Sequence, residues 1–419
     1  MKTIETLSIE GPSVAPGLSR RTRRIEIDRR TGLIFRIGEP EGAADLTLGE
    51  KSLILPGLVD LHVHAREDPS GKHTYKEDFE SAAAAAIHGG VVAFADMPNN
   101  PLPPVDDASY AAKRELARRV SMDVLLYAGI GPHTRPLSTP VPYKVYMGPS
   151  IGDLYFSSEA ALGEALERYR GRWVAFHAEA PEVLERFKDR PTHEERRPPE
   201  AEASAVRTAL ELAGEFGLIA HICHLSTAAG LEELKAARER RGDAIGFEVT
   251  PHHLFFDLDS MGRHPRPGWL QTNPPIRSRE DRVALLEAFR NGEVPVLASD
   301  HAPHSLEEKE RGTSGIPHLD TFGPFLTWLA IEEGVPWETI AAAAAGNPGR
   351  VCREFLGEPF GFLSEGAVGS LTIFDLGRSI TIGRRSLKTK SGWSPFEGMT
   401  FPGRVSHTVI RGKVHEVQD

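Results

Sequence analysis

Leu58-Val59-Asp60-Leu61-His62-Val63-His64 is a short apolar run closed by two histidines, and its recurrence along the chain decides the fold. Seven comparable runs lie downstream, at Val91 to Met97, Met122 to Ile130, Tyr143 to Met147, Trp173 to Ala178, Leu218 to His224, Ile245 to Thr250 and Val294 to Asp300. Between most of them stand Ala- and Leu-rich segments of helical period, such as Lys76 to His88 before Gly89-Gly90 and Ala228 to Arg240 before Gly242. Strands that alternate with helices run parallel, and eight such units predict an α/β protein built on a closed (β/α)8 TIM barrel. The two ends of the chain read differently. Thr3 to Ile9, Arg24 to Ile27 and Leu33 to Ile37 before the barrel, and Leu371 to Phe374, Val405 to Ile410 and Lys413 to Val417 after it, look like short strands with glycine turns. They predict one small β-sandwich-like domain formed from both termini, with residues 1–55 and 366–419 flanking a barrel over 56–365. Lys188 to Glu200, rich in charge and proline, reads as a surface loop leading into a helix.

Composition narrows the function classes. The 419 residues are 40% hydrophobic and 26% charged, ordinary for a globular protein. Asp and Glu outnumber Lys and Arg by 59 to 49, a net charge of −10, which argues against a nucleic-acid partner. An anionic small substrate would have to be drawn in by local arginines or bound metal. The basic run Arg20-Arg21-Thr22-Arg23-Arg24 reads as a solvated loop or edge strand. With only Cys223 and Cys352, a disulfide framework is excluded and a reducing cytoplasm is the expected setting. Met1 to Pro16 lacks a signal pattern, and no apolar stretch approaches the ~20 residues of a membrane span.

Metal-binding side chains gather at the C-terminal ends of the strand candidates, where barrel enzymes carry their sites. The period of two puts His62 and His64 on one strand face, and two adjacent imidazoles suit one metal. His177 ends the fifth run. In the sixth, His224 shares its face with Leu218, Ala220 and Ile222, whereas His221 and Cys223 alternate to the other, so His224 is chosen for the site and His221 is read as a packed or hydrogen-bonded structural histidine. Asp300 ends the eighth run, where an unpaired buried carboxylate would be costly; it is either a helix N-cap or a metal or proton-transfer group. Imidazole and carboxylate donors without cysteine favour zinc, with manganese or cobalt as substitutes. Lys144, at the end of the fourth run, reads on its own as a surface lysine.

These residues resemble the dihydroorotase family of the amidohydrolase superfamily over nearly the whole chain. The likeness is carried by Pro56 to Glu67, Asp96-Met97-Pro98-Asn99-Asn100, Lys144, His177-Ala178-Glu179 and His221 to Thr227. It continues through Thr272-Asn273-Pro274-Pro275-Ile276-Arg277 and Ser299 to His304, and on to Ser394-Pro395-Phe396-Glu397-Gly398. The resemblance implies two zinc ions, one held by His62, His64 and Asp300 and the other by His177 and His224, bridged by a carboxylated Lys144 and a hydroxide. It further implies reversible hydrolysis of dihydroorotate to N-carbamoyl-L-aspartate in pyrimidine biosynthesis, with Asp300 as general acid and base. Arg66 would pair with the substrate carboxylate, which Asn99 and His304 would also contact, and Asn273 would touch the pyrimidine ring. Ser150, in the Gly148 to Asp153 segment, is the expected lid contact. A homodimer and an association with aspartate carbamoyltransferase are the partners the family allows. Departures from the family pattern occur at His318 and Asp320, where an altered pocket floor at His318 would bear on substrate preference, and at Gly369-Ser370-Leu371. The competing assignments are a hydantoinase or allantoinase, against which Arg66 argues, and a silent structural partner of the carbamoyltransferase, against which the complete ligand set argues.

Overall fold

The seam that closes the barrel lies between its last strand and its first. Val63 bridges His301 in parallel, the His64 amide donates to the His301 carbonyl at 2.8 Å and the His301 amide to the His62 carbonyl at 3.2 Å. The computed structural model describes residues 5–148, 154–156 and 158–418. Around the barrel the strands are Leu58–Val63, Val91–Asp96, a third split into Asp123–Leu126 and Ala128–Gly129, then Tyr143–Tyr146, Trp173–His177, Ile219–Ile222, Ile245–Val249 and Val296–Leu297. Every pairing is parallel. Each of the first two strands is buried along its full length, as a sheet covered by helices requires.

The helices begin and end where local chemistry dictates. Phe79–His88 is capped by Asp78, whose carboxylate accepts from the Ser81 amide while the Ser81 hydroxyl reciprocates, and its buried alanines face the barrel. The helix therefore starts three residues later than the sequence pattern suggests, and Lys76 and Glu77 precede it as buried charges with other partners. It stops at Gly89, where a Cβ would stand 1.7 Å from the Leu319 carbonyl oxygen. The backbone there is unstrained, at φ −84°, so the glycine is required by close approach alone.

Strands from both termini share one sheet, in the order Lys413–Glu416, Arg404–Ile410, Leu371–Asp375, Ser52–Pro56, Thr6–Ala15, Leu18–Asp28, Leu33–Gly38, with Leu46–Thr47 alongside Thr6–Ala15. The sheet curls until its edge strand Leu33–Gly38 reaches the segment just before Leu371–Asp375. The Gly369 amide donates to the Gly32 carbonyl at 2.7 Å, and Leu33 bridges Val368. Ile9, Ile25, Ile27, Ile54, Leu371 and Val409 fill a second small core inside this curl. Arg411 fastens the small domain to the barrel by a forked pair to Asp123, both contacts at 2.9 Å, and by a second pair to Glu358. Ser52–Pro56 joins the sheet to the first barrel strand and is a strand that the sequence pattern does not announce. The segment Lys188 to Glu200 is more than a surface loop, since it contains the helical turn His193–Arg196 and sends Arg197 inward.

Gly89→Ala should drive a methyl group into the Leu319 carbonyl and cost about 2 kcal/mol or more. Calorimetric unfolding should show a lowered Tm, and an unchanged Tm would refute the close-packing account.

Candidate active site

The strand-end residues His62, His64, Lys144, His177, His224 and Asp300 all surround one cavity of about 410 Å³. Arg66, Asn99, Asn273 and His304 line it as well. Ser150 and most of the expected lid lie outside the described residues.

The first histidine pair is aimed from behind. His62 Nδ1 contacts Glu248, so its Nε2 turns to the cavity, 3.2 Å from Asp300 Oδ1. His64 Nδ1 donates to Asn99 Oδ1 at 2.8 Å, leaving its Nε2 3.3 Å from the same Asp300 oxygen. Each ring gives one proton to an outer acceptor, so the two inner nitrogens and a carboxylate oxygen face one point. That arrangement calls for a positive charge among them, a proton on His62 or a metal cation in its place. His62, His64 and Asp300 each offer a ligand atom within 4.8 Å of the others, a donor set that fits a metal ion.

The electrostatics agree with that geometry. At His62 burial works against a charged ring, yet Asp300 and Glu248 outweigh it and push its pKa up to about 10. Burial alone would raise Asp300, but His62 and His64 pull it down to about 2, so its carboxylate is ionised at neutral pH. Surroundings that favour a proton on His62 also favour a metal cation in its place. His64 is lowered to about 3, chiefly by burial, and keeps a neutral ring.

A second pair stands beside the first, with the His224 ring 5.3 Å from that of His62. His177 Nδ1 lies 2.9 Å from His224 Nε2, while His177 Nε2 contacts Glu179 at 3.0 Å. Glu179 is itself held by the guanidinium of Arg197, with 3.0 Å between Nε and Oε1. Burial lowers both histidines below their ordinary values, so they present neutral rings. Lys144 is completely buried nearby, and its Nζ stands 2.7 Å from the Cys223 thiol. Among the described residues no carboxylate lies within ion-pair distance of it.

The backbone is strained where it delivers these groups. Arg66, His224 and Asp300 have φ of +61°, +39° and +47°, a region that costs a side-chain-bearing residue about 1 kcal/mol or more. This alters one expectation. His221 and Cys223, not the Leu218-Ala220-Ile222 face, point into the barrel: His221 contacts Glu248 at 2.8 Å and stacks on Trp173. His224 lies beyond the strand, and its left-handed backbone, rather than strand alternation, turns its ring into the cavity.

The remaining wall is cationic. Arg66 is buried, one of its terminal nitrogens lies 3.2 Å from His304 Nε2, and its Nε has no partner. Lys76 Nζ approaches His304 Nδ1 at 3.3 Å and pairs with Glu308 at 2.7 Å. Gly315 closes this corner at φ +134°, where a Cβ would meet the Ala302 oxygen at 2.6 Å and His304 Cδ2 at 2.9 Å. Lys309 pins the same loop through the carbonyls of Gln271, Thr313 and Gly315. The C-terminal tail takes part too. Trp393 Nε1 donates to the His304 carbonyl at 2.7 Å, and the backbone just before it is held by Glu77 and Asp320.

The departures from the family pattern at His318 and Asp320 do not line the cavity. His318 stacks on His252, with 3.0 Å between His252 Nδ1 and His318 Nε2, and Asp320 accepts from the Lys388 and Thr389 amides. Sequence reasoning passes over Glu248, Arg197 and Tyr146. Glu248 carries a signal, as a single carboxylate inside an otherwise apolar strand.

Residues 53–415 match the model of the Amidohydrolase family. A dihydroorotase of Pyrococcus furiosus is 36% identical over 405 residues, covering 96% of this chain and 91% of the relative. A dihydroorotase of Pyrococcus abyssi is 33% identical, covering 91% and 87%. Among solved structures, the L-hydantoinase (dihydropyrimidinase) of Arthrobacter aurescens superposes with a TM-score of 0.88 at 23% identity, over 99% of this chain and 96% of that one. This likeness establishes the barrel with its small β domain.

Replacing Glu248 by Gln should release His62 and weaken metal binding about 10- to 100-fold. Titration of the metal-stripped protein with Zn²⁺, followed by calorimetry, would measure this, and unchanged affinity would show that Glu248 does not orient the ring.

Proposed function

The chain belongs to the amidohydrolase family, and we propose that within it the protein is a dihydroorotase, interconverting (S)-dihydroorotate and N-carbamoyl-L-aspartate in pyrimidine biosynthesis. The observation that carries this reading is Arg66, a buried guanidinium whose Nε lacks a partner, lining the same cavity as a cluster of four histidines. A ring amide whose substituent is a carboxylate meets both demands. The names of the archaeal relatives support the same substrate.

In this reading His62, His64 and Asp300 would hold one zinc ion and His177 and His224 a second, with Lys144, once carboxylated, as a further ligand. Such ions would supply hydroxide at neutral pH and polarise the ring carbonyl. Burial of Lys144 favours its modification, because a buried ammonium beside neutral histidines lacks a counter-charge, whereas a carbamate would carry the sign that cations need. Asp300, ionised and lining the cavity, takes the proton of the attacking hydroxide on its carboxylate and passes it to the departing ring nitrogen. Arg66, Asn99 and His304 hold the carboxylate, and Asn273, whose Oδ1 is buried without a partner, accepts from a ring N–H. In the synthetic direction the same groups act in reverse. Residues 56–365 supply this chemistry, while 1–55 and 366–419 form the supporting domain. No described helix is long and apolar enough to cross a membrane.

The zinc-loaded protein should interconvert dihydroorotate and N-carbamoyl-L-aspartate. Arg66→Ala should lower kcat/KM by at least about a hundredfold, as expected for loss of a charged, buried partner. Opening of hydantoin or allantoin with indifference to dihydroorotate would overturn the substrate, and absence of any activity after reconstitution with metal would mark a silent relative.

A further inference from the structure

Tyr146 closes the fourth barrel strand, two residues beyond Lys144, and lines the cavity with a side chain that is 4% exposed. Its ring lies 6.0 Å from that of His177, and Lys144 Nζ stands 5.3 Å from its centroid. The ring therefore packs where a phenylalanine would pack equally well. The hydroxyl is what calls for an account, because it is buried and makes no hydrogen bond. A buried hydroxyl left unpaired is costly, and the cost is recovered when a ligand supplies the acceptor.

Three side chains that line this cavity carry buried polar atoms without partners: Tyr146 Oη, Arg66 Nε and Asn273 Oδ1. The first two are donors and the third is an acceptor. Two free donors, one of them cationic, match the oxygens of a carboxylate, while Asn273 Oδ1 matches a ring N–H. His304 already has protein partners at both ring nitrogens, and Asn99 receives His64 at its Oδ1, so Tyr146 Oη and Arg66 Nε, with the Asn99 amide nitrogen, are the donors with capacity to spare.

The geometry points to Tyr146 as a specificity-determining residue whose hydroxyl donates to the substrate carboxylate beside Arg66. This deepens the dihydroorotase reading and rests on it. Carboxylate recognition is then shared between a charged fork on the first strand loop and a neutral donor on the fourth strand.

The test is Tyr146→Phe, which removes one oxygen and leaves the ring packing unchanged. KM should rise about 10- to 100-fold for both dihydroorotate and N-carbamoyl-L-aspartate, the loss expected for a hydrogen bond to a charged group. Turnover at saturation should stay within about twofold, because the bond is equally present in ground and transition states. Competitive inhibition by orotate, which carries the same carboxylate, should weaken by the same factor as KM. Unchanged KM values overturn the proposal. So does a fall in kcat as large as the rise in KM, which would move the hydroxyl to the reacting carbonyl. If the wild-type protein itself fails to turn over dihydroorotate, the reaction assignment falls; if it is active and the variant unaffected, only the role of Tyr146 falls.

Discussion

Glu248 has no contact with solvent and divides its carboxylate between His62 and His221. A carboxylate stripped of water is tolerated only when its oxygens are filled, and here two imidazoles fill them. The consequence is directional. His62 cannot rotate without leaving Glu248 Oε1 only the longer, 3.3 Å bond from the His224 amide, so its second nitrogen is fixed toward Asp300. The same arrangement recurs with Asn99 behind His64 and with Glu179, held by Arg197, behind His177. Each ring is tied at its outer nitrogen, and the inner ones converge.

That convergence is readable only in part from the sequence. Apolar runs ending in His62, His64, His177, His224 and Asp300 mark strand ends, and the barrel brings strand ends together whatever the intervening loops do. Eight runs correspond to eight barrel strands, because a strand buried on both faces must be written in apolar residues. What the period of two does not convey is how the chain leaves a strand. His224, Arg66 and Asp300 reach the cavity through left-handed backbone, for which neither residue type nor spacing gives a cue. Alternation assigns His224 to the inward face, whereas the inward face of that strand belongs to His221. The choice of His224 and the reason for it thus part company.

The outer partners are harder still to see. Glu248 stands out as a lone carboxylate in an apolar run but does not announce its histidines, Glu179 is an ordinary glutamate until the barrel places His177 against it, and Arg197 comes from a segment whose charge and proline content resemble those of any surface loop. Tyr146 reads as one more aromatic in a buried strand. Its hydroxyl becomes informative only when every neighbouring atom has been placed and none of them answers it. His318 and Asp320 show the converse. They break the family pattern, yet one stacks against His252 and the other ties down the tail, and neither faces the cavity.

The strained corners and the histidine cluster are complete once the chain has reached Asp300, but His304 is buttressed by Trp393, far downstream. The backbone between Lys388 and Lys390 is likewise stitched to Glu77 and Asp320. The two halves of the site therefore draw on different lengths of the chain. The ring of imidazoles is made from residues up to Asp300, whereas the corner around His304 takes its brace from a side chain 89 positions further on, so damage to the tail bears on His304 and leaves the imidazoles' own outer partners in place.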